Sequence, residues 1–172
     1  AVETVDEFAA DGRDDLIYDI CLQKPWPSQT ATLLAWLKRH APDIYAQTGT
    51  AFLCKDYLRF CLTGTIGSDY SDMSGCGLLR LPSLEYDQEL LTHYGLEDCP
   101  NLLPPLSQST DIIGKVTPEA AEQTGLQAGT PMVAGLFDIV ASALGAGTTQ
   151  PGQASIVAGT WSINQVVVEQ PV

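Results

Sequence analysis

One carboxylate in the sequence stands where a catalytic base would be useful. Asp138 follows an apolar run at residues 131–136 and precedes an Ala-rich stretch that reaches Ala143. A strand followed by a helix would put this carboxylate at the strand's carboxyl end, where α/β proteins place chemistry, and at the helix N-terminus, whose dipole favours the ionised form. Such a group can accept the proton of an alcohol that attacks ATP. Spacing alone favours the simpler interpretation, an Asp that caps a helix.

A second candidate is the pair Gly159 and Thr160, which lies between two predicted strands at residues 154–157 and 163–168. Glycine lets the backbone approach a phosphate closely, and the Thr hydroxyl can bond a phosphate oxygen. A Gly-Thr pair at a hairpin is nevertheless more often only a turn.

Two tryptophans are further candidates. Trp26 lies between two prolines and could wall a sugar pocket, while Trp161 could flank a nucleotide. Packing in a core or an interface is the more common role for either residue taken alone.

The elements that would position these residues begin with helices. Apolar residues recur three or four apart at residues 5–10 and 15–21, which predicts two helices. Ser28 is the predicted N-cap of a third helix, whose apolar stripe we assign to the core. That stripe comprises Leu33, Leu34 and Leu37.

A fourth helix is predicted within the apolar stretch at residues 51–63, and Gly64 is a suitable C-cap for it. Lys55 and Asp56 are predicted to be solvated or paired with each other. The cysteines of this stretch are predicted to be small buried hydrophobes. They are Cys54 and Cys61.

The second half of the chain alternates strand and helix signals. Residues 68–77 are rich in Ser, Asp and Gly, which predicts a loop or a short irregular strand. Residues 112–116 are predicted to form a strand. Thr117 and Pro118 then open a helix as N-cap and first residue, and Gly125 ends it.

Charge and composition narrow the class of protein. Of the 172 residues, 45% are hydrophobic, and 8 Lys and Arg stand against 21 Asp and Glu, for a formal net charge of -13. Nucleic acid is an improbable partner, because phosphate backbones are bound by clustered cations and here these are scattered singly. ATP is not excluded, since a few backbone N–H groups and one or two side chains suffice to hold it.

The five cysteines include no C-x-x-C pair, and the only histidines, His40 and His93, lie far from any cysteine pair. No zinc site is therefore predicted, and a reducing cytoplasm is the expected location. No apolar run approaches the roughly 20 residues of a membrane span, and residues 1–20 are acidic rather than signal-like. We expect a soluble protein without a membrane partner.

The stretches at residues 28–40, 55–64, 68–75 and 129–147 together resemble, over nearly the whole chain, the motifs of one known family, the FGGY carbohydrate kinases. Residues 28–40 resemble the family's first signature, although Leu33 stands where a Lys is usual. Residues 55–64 and 68–75 look like the segments that follow. The strongest resemblance is GTPMVAGLFD at residues 129–138, together with the Ala-rich stretch after it.

The resemblance implies an α/β fold, namely an incomplete actin-like ATPase (ribonuclease H-like) domain with the first β-hairpin of a second such domain. Residues 1–147 would form the later part of the N-terminal substrate-binding domain, and residues 148–172 would start the C-terminal nucleotide-binding domain. The family's N-terminal phosphate-binding hairpin and most of the second domain do not occur in these 172 residues. We therefore expect this piece alone to be inactive and the complete protein to be a kinase.

The same resemblance implies roles for single residues. Asp138 would be the catalytic base and would also contact the substrate. Gly159 and Thr160 would lie against the phosphates of ATP, and Trp26 and Ser28 would contact the substrate. The implied reaction is ATP-dependent phosphorylation of a hydroxyl of a small sugar or polyol, such as the ketopentoses xylulose and ribulose, with Mg²⁺ bridging the phosphates.

Within the family, the sequence around the candidate base resembles L-xylulose kinases more than glycerol or D-xylulose kinases. The latter two carry a polar amide residue directly after the base, and Ile139 cannot donate such a hydrogen bond. The expected partners are a small sugar or polyol and ATP, and a homodimer is a candidate assembly.

Two other functions stay open at this stage. An actin-like sugar-binding or regulatory module would bind sugar without forming ADP. An acyl-phosphate kinase of the same superfamily would instead prefer a carboxylate as phosphoryl acceptor.

Overall fold

Helices come first along the described part of the chain, and very short strands and helices are interspersed after them. The computed structural model describes residues 1–98, 101–160 and 162–170, and the chain divides into two units at residues 1–135 and 136–172. The helices of the first unit are α1 (Val2–Ala10), α2 (Arg13–Cys21), α3 (Thr30–His40), α4 (Pro42–Gln47), α5 (Cys54–Thr63), α6 (Tyr70–Gly75), α7 (Gln88–His93) and α8 (Pro118–Thr124). Its strands are β1 (Ser68–Asp69), β2 (Leu79–Arg80), β3 (Glu85–Tyr86), β4 (Leu106–Ser107), β5 (Ile112–Lys115) and β6 (Pro131–Val133). The second unit contains α9 (Asp138–Gly145), β7 (Ala154–Val157) and β8 (Ile163–Val166).

The core of the first unit is built on amphipathic helices. Ile17 and Ile20 lie on one face of α2 and are buried, because residues three apart share a helix face. Phe8 of α1 packs edge-on against Tyr94, with ring centroids 5.7 Å apart. The two helices predicted at this end of the chain are confirmed.

The predicted cap of α3 is wrong. The N-cap position is Gln29 rather than Ser28, and its side chain makes no capping hydrogen bond. The Gln29 side chain is buried instead, where it accepts a hydrogen bond from the Tyr94 hydroxyl at 3.1 Å and donates one to Gln23 Oε1 at 3.2 Å. The start of α3 is therefore fixed by core contacts and not by a local cap.

The apolar stripe of α3 is only partly in the core. Leu34 is buried and Leu37 packs against the core, but Leu33 is 45% exposed. The prediction for Leu33 is wrong because the buried face runs through Ala31 and Leu34, and each residue along a helix turns by about 100° from the last.

The segment at residues 68–77 is more regular than predicted. It contains β1, which pairs in parallel with β4, and then α6. Asp69 caps α6 by accepting a hydrogen bond from the Ser71 amide at 2.9 Å. The Ser and Asp residues that suggested a loop thus act as a helix start, a role for which the same residue types are suited.

The strand predicted at residues 131–136 is shorter than expected. β6 ends at Val133 and pairs antiparallel with β5, with a bulge between Ile112 and Gly114. Gly135 has a φ of +88°, a backbone conformation that interrupts a strand and that glycine adopts without strain. The chain leaves the strand ladder four residues before α9 begins.

The predicted start and end of α8 are confirmed. Thr117 accepts a hydrogen bond from the Ala120 amide at 3.1 Å, Pro118 is the first helical residue, and Gly125 follows the last one with a φ of +78°. In the second unit, the predicted hairpin is present as β7 paired antiparallel with β8. No helix in the described ranges is long and apolar enough to cross a membrane.

Gly77 supplies a test of the core. It has a φ of +70°, and a Cβ built there would lie 2.4 Å from Gln29 Nε2. We expect Gly77→Ala to lower the free energy of unfolding of the complete protein by about 2–4 kcal/mol, because it adds both backbone strain and overpacking. Urea unfolding measures the loss.

Gly64 is the matched control for that substitution. It has a φ of +69° with no atom within 4 Å of a built Cβ, so Gly64→Ala isolates the backbone term of about 1 kcal/mol. Equal losses for the two variants would show that the contact with Gln29 does not matter.

Candidate functional site

A cluster of charged side chains lies inside the first unit, around the inner face of α5. We call it the α5 charge cluster, and its members are Lys55, Asp56, Arg59, Asp69 and Asp72. Asp56 and Asp69 are fully buried and Arg59 is 3% exposed. Charges are rarely buried unless they are paired and hydrogen-bonded, so each member needs its partners.

Asp56 is bonded through both of its carboxylate oxygens. Its Oδ1 accepts hydrogen bonds from Lys55 Nζ at 2.8 Å and from Arg59 Nη1 at 3.0 Å. Its Oδ2 accepts one from the Ser68 hydroxyl at 2.6 Å. Three donors on two oxygens replace the water that a buried carboxylate loses.

Arg59 joins three segments of the chain. Its guanidinium donates to Asp56 on its own helix, to the Gly67 carbonyl just before β1, and to the Ala134 carbonyl just after β6 at 2.7 Å. A planar guanidinium offers several donors in fixed directions, which a lysine cannot do.

The Lys55 ammonium lies among three carboxylates. Its Nζ is 2.8 Å from Asp56, 2.9 Å from Asp69 and 3.1 Å from Asp72. Burial alone would lower the pKa of Lys55, but hydrogen bonds to Asp56 and Asp69 outweigh this effect and raise the pKa above its ordinary value. Lys55 is therefore a permanent cation in this setting.

Asp69 and Asp72 share Lys55 but differ electrostatically. Burial acts to raise the pKa of Asp69, yet hydrogen bonds from Ser71, Lys55 and Ser109 lower it below its usual range. Burial raises the pKa of Asp72, and the attraction of Lys55 does not overcome it. Asp69 is thus stabilised as an anion, and the ionisation of Asp72 is disfavoured.

Sequence reasoning missed this cluster. It treated Lys55 and Asp56 as solvated or paired with each other; they are paired, but Asp56 is fully buried. The overlooked signal was a charged pair three residues apart, Asp56 and Arg59, within an otherwise apolar helix.

The charged inner face also explains why the prediction for two cysteines is wrong. Cys54 and Cys61 are exposed rather than buried, because Asp56 and Arg59 occupy the inner face of α5. Among the described residues, the buried thiols are those of Cys21 in α2 and of Cys76, where burial raises the pKa to about 11.

Asp138, the predicted base, is the first residue of α9 in the second unit and is exposed. Its Oδ1 accepts a hydrogen bond from the Ile139 amide at 2.7 Å. The N-cap position is Phe137, so Asp138 does not occupy the position of an ordinary capping Asp. A carboxylate in the first helical turn is stabilised by the helix dipole and is accessible to a ligand.

The other predicted site residues are exposed as well. Gly159 and Thr160 lie in the bend between β7 and β8, in the same unit as Asp138 but on a different element. Trp26 and Ser28 share one turn of the first unit, in which the Gln29 amide donates to the Trp26 carbonyl at 3.0 Å. Trp161 lies outside the described residues.

The donors of the described residues do not form a metal centre. No group of three or more His, Cys, Asp or Glu side chains within the described ranges could hold a metal ion. The three carboxylates of the α5 charge cluster surround an ammonium group instead.

Known proteins resemble this chain along most of its length. Residues 1–145 match the model of the FGGY family of carbohydrate kinases, N-terminal domain. An L-xylulose/3-keto-L-gulonate kinase of Escherichia coli (strain K12) is 40% identical over 163 residues, which is 95% of this chain and 33% of that protein. An autoinducer-2 kinase of Yersinia enterocolitica is 37% identical over 139 residues, 81% of this chain and 26% of that protein. The chain thus spans about a third or less of the length of these relatives.

Solved structures show the same relationship. A structure described as gluconate kinase from Lactobacillus acidophilus matches 98% of this chain and 34% of its own, with a TM-score of 0.89 and 26% identity. A xylulose kinase from Rhodospirillum rubrum matches 90% of this chain and 31% of its own, with a TM-score of 0.80 and 28% identity. These matches confirm the predicted fold, an incomplete α/β domain of the actin-like ATPase type.

The contrast between Asp69 and Asp72 can be tested by substitution. We expect Asp69→Asn to lower the free energy of unfolding at pH 7 by about 3 kcal/mol, because it removes a stabilised buried anion. Asp72→Asn should cost about 1 kcal/mol or less, because its ionisation is already disfavoured. Chemical unfolding of the complete protein between pH 3 and 7 measures both.

The pH dependence of the two variants should run in opposite directions. Asp69, with its lowered pKa, stabilises the fold above its unfolded-state value and loses that effect as pH falls through the folded-state value, so the deficit of Asp69→Asn should shrink in acid. Asp72, with its raised pKa, destabilises the fold as pH rises past its unfolded-state value, so Asp72→Asn should gain on the wild type toward pH 7. Parallel pH profiles would contradict the assignment.

Proposed function

Since the chain belongs to the FGGY family of carbohydrate kinases, we propose that the complete protein transfers the γ-phosphoryl group of ATP to a hydroxyl of a small sugar or polyol, with Asp138 as general base. A ketopentose such as xylulose or ribulose is the proposed substrate class. L-xylulose kinases among the relatives, at 39% and 40% identity, support this choice.

The position of Asp138 carries the proposal. It is an exposed carboxylate on the first residue of α9, and it ends the segment at residues 129–138 that carries the strongest family resemblance. In the proposed step Asp138 accepts the proton of the substrate hydroxyl while that oxygen attacks the γ-phosphorus, and ADP leaves. Phosphoryl transfer needs little else from the protein beyond orientation and charge stabilisation.

The remaining predicted residues have supporting roles in this proposal. Gly159 and Thr160 would bond ATP phosphate oxygens through backbone N–H groups and the Thr hydroxyl, since both are exposed in a bend between strands. Trp26, which is 48% exposed, and the nearby Ser28 would contact the sugar through an aromatic face and a hydroxyl.

Magnesium is expected to accompany ATP in such a reaction. The described residues provide no ready-made cage for the ion, so we assign no step of the proposal to it. The protein groups named above act by binding, orienting and accepting a proton.

Replacement of the base is the direct test. In the complete protein, Asp138→Asn should lower kcat by about 10²–10⁴-fold, because the amide cannot accept the proton. ADP release measured across ketopentoses, tetritols and glycerol gives the rate, and isothermal titration should show sugar affinity changed by no more than about threefold.

The matched control is Asp43→Asn, which removes another exposed carboxylate from the first turn of a helix, here α4. Its turnover should equal that of the wild type. Near-normal turnover in Asp138→Asn would show that Asp138 is not the base. If the wild type binds sugar without releasing ADP, the protein is a sugar-binding module and not a kinase.

Trp26 can be tested separately. We expect Trp26→Ala to raise KM for the sugar by about tenfold and to leave kcat within twofold, because a stacking wall contributes about 1–1.5 kcal/mol of binding and takes no part in bond breaking. Trp36→Ala, which removes a tryptophan that stacks on His40, is the control. An unchanged KM in Trp26→Ala would exclude the contact.

A further inference from the structure

The segment that leads from β6 toward α9 is held by bonds outside any strand ladder. The Ala134 amide donates to the Asp111 carbonyl and the Gly135 amide to the Ser109 carbonyl, each at 2.9 Å. The Ala134 carbonyl accepts a hydrogen bond from Arg59 Nη1 at 2.7 Å. Arg59 therefore joins the backbone of Ala134 to the interior of the first unit through a charged hydrogen bond.

Arg59 is itself held in a fixed orientation. It is 3% exposed, Asp56 accepts from the same Nη1 at 3.0 Å, and the Gly67 carbonyl accepts from Nη2. A buried guanidinium that makes three hydrogen bonds through Nη1 and Nη2 has little freedom to turn, so the Ala134 carbonyl is bound to a rigid partner.

The second anchor of the segment leads back to the same cluster. Ser109, whose carbonyl accepts from the Gly135 amide, also donates its hydroxyl to Asp69 Oδ2 at 2.8 Å. Asp69 in turn lies 2.9 Å from Lys55 Nζ. The α5 charge cluster thus holds Ala134 directly and Gly135 through Ser109.

Only residues 136 and 137 separate Gly135 from Asp138 in the chain. We propose that Arg59 is a positioning residue that acts on Asp138 through the chain alone: by holding the Ala134 carbonyl, it fixes the backbone of Ala134 and Gly135, from which the chain continues to the carboxylate. The inference rests on the proposed function of Asp138. Arg59 acts through the chain and does not itself touch the reacting atoms.

The expected effect follows from the sensitivity of catalysis to geometry. Arg59→Lys keeps a positive charge near Asp56, but a single ammonium cannot serve Asp56, Gly67 and Ala134 together. In the complete protein we expect kcat to fall by about 10–100-fold, as for a reacting group displaced by about 1 Å, while KM for the sugar stays within about threefold.

A control separates positioning from stability. Gly77→Ala also destabilises the first unit, but it does so at Gln29 and breaks no bond of Ala134. Its kcat should stay within twofold of the wild type at a temperature where both variants are folded. Should Arg59→Lys behave in the same way, with lower stability and unchanged kcat, the proposal is wrong.

A double variant that combines Arg59→Lys with Asp138→Asn tests the positioning role independently. In an Asp138→Asn background, Arg59→Lys should lower the residual turnover by less than about twofold, because a base that is absent cannot be misplaced. A full, multiplicative loss would overturn the proposal. Failure of the base assignment is read separately, from near-normal turnover of Asp138→Asn alone.

Amide hydrogen exchange tests the anchor without any activity. A peptide covering residues 131–140 should exchange at least about tenfold faster in Arg59→Lys than in Gly77→Ala, since the release of a backbone anchor opens the segment locally. Equal exchange in the two variants would refute the anchor. If Arg59→Lys does not fold, Ser109→Ala is the second variant, because it removes the hydroxyl that links Gly135 to Asp69. It should give the same exchange pattern and lower kcat by about threefold or more. Exchange and kcat equal to those of the wild type would also refute the proposal.

Discussion

The buried ion pair between Arg59 and Asp56 is the interaction on which the arrangement of the first unit depends. Removing either charge from water costs several kcal/mol, and the fold offsets this cost with bonds to both Asp56 oxygens and to Nη1 and Nη2 of Arg59, while Arg59 Nε is buried without a partner among the described residues. Those partners come from distant parts of the sequence: α5 itself, the residues beside β1, and the residues after β6. Because a buried charge pair is so unfavourable without its hydrogen bonds, few alternative arrangements are possible, and the pair specifies how these segments pack together.

The charges around this pair do not balance. Two cations, Lys55 and Arg59, face the three carboxylates of Asp56, Asp69 and Asp72. Of these carboxylates, Asp72 is the one whose pKa burial raises, whereas Asp69, which accepts hydrogen bonds from the Ser71 and Ser109 hydroxyls, has a lowered pKa. The surplus carboxylate thus lies at the position where burial raises the pKa.

Sequence alone predicted the elements whose signals are local. α8 was fully predictable, because Thr117, Pro118 and Gly125 each act within one turn of the helix. The orientation of α5 was not, because its apolar residues suggested a buried apolar face, whereas the inner face carries Asp56 and Arg59. Which face of a helix is buried depends on partners far away in the sequence, and here those partners are Ser68, Gly67 and Ala134.

The candidate site shows the same difference between local signals, which the sequence reveals, and long-range contacts, which it does not. Asp138 was identified from its place between an apolar run and an Ala-rich helix together with the family resemblance, and it does begin α9. The bond from Arg59 to the Ala134 carbonyl, a few residues before Asp138, was not foreseeable, since Arg59 and Ala134 lie 75 positions apart and no periodic pattern reaches that far. The end of β6 at Val133 escaped prediction because the run stays apolar through Leu136 while Gly135 turns the backbone.

The outward-facing thiols of α5 have a practical consequence. Because Cys54 and Cys61 are exposed while Cys21 and Cys76 are enclosed, a maleimide dye at neutral pH will react with the first pair well before the second. A fluorophore attached there would sit on the opposite side of the helix from Arg59, so its emission can report on motions of α5 without a label inside the charged interior.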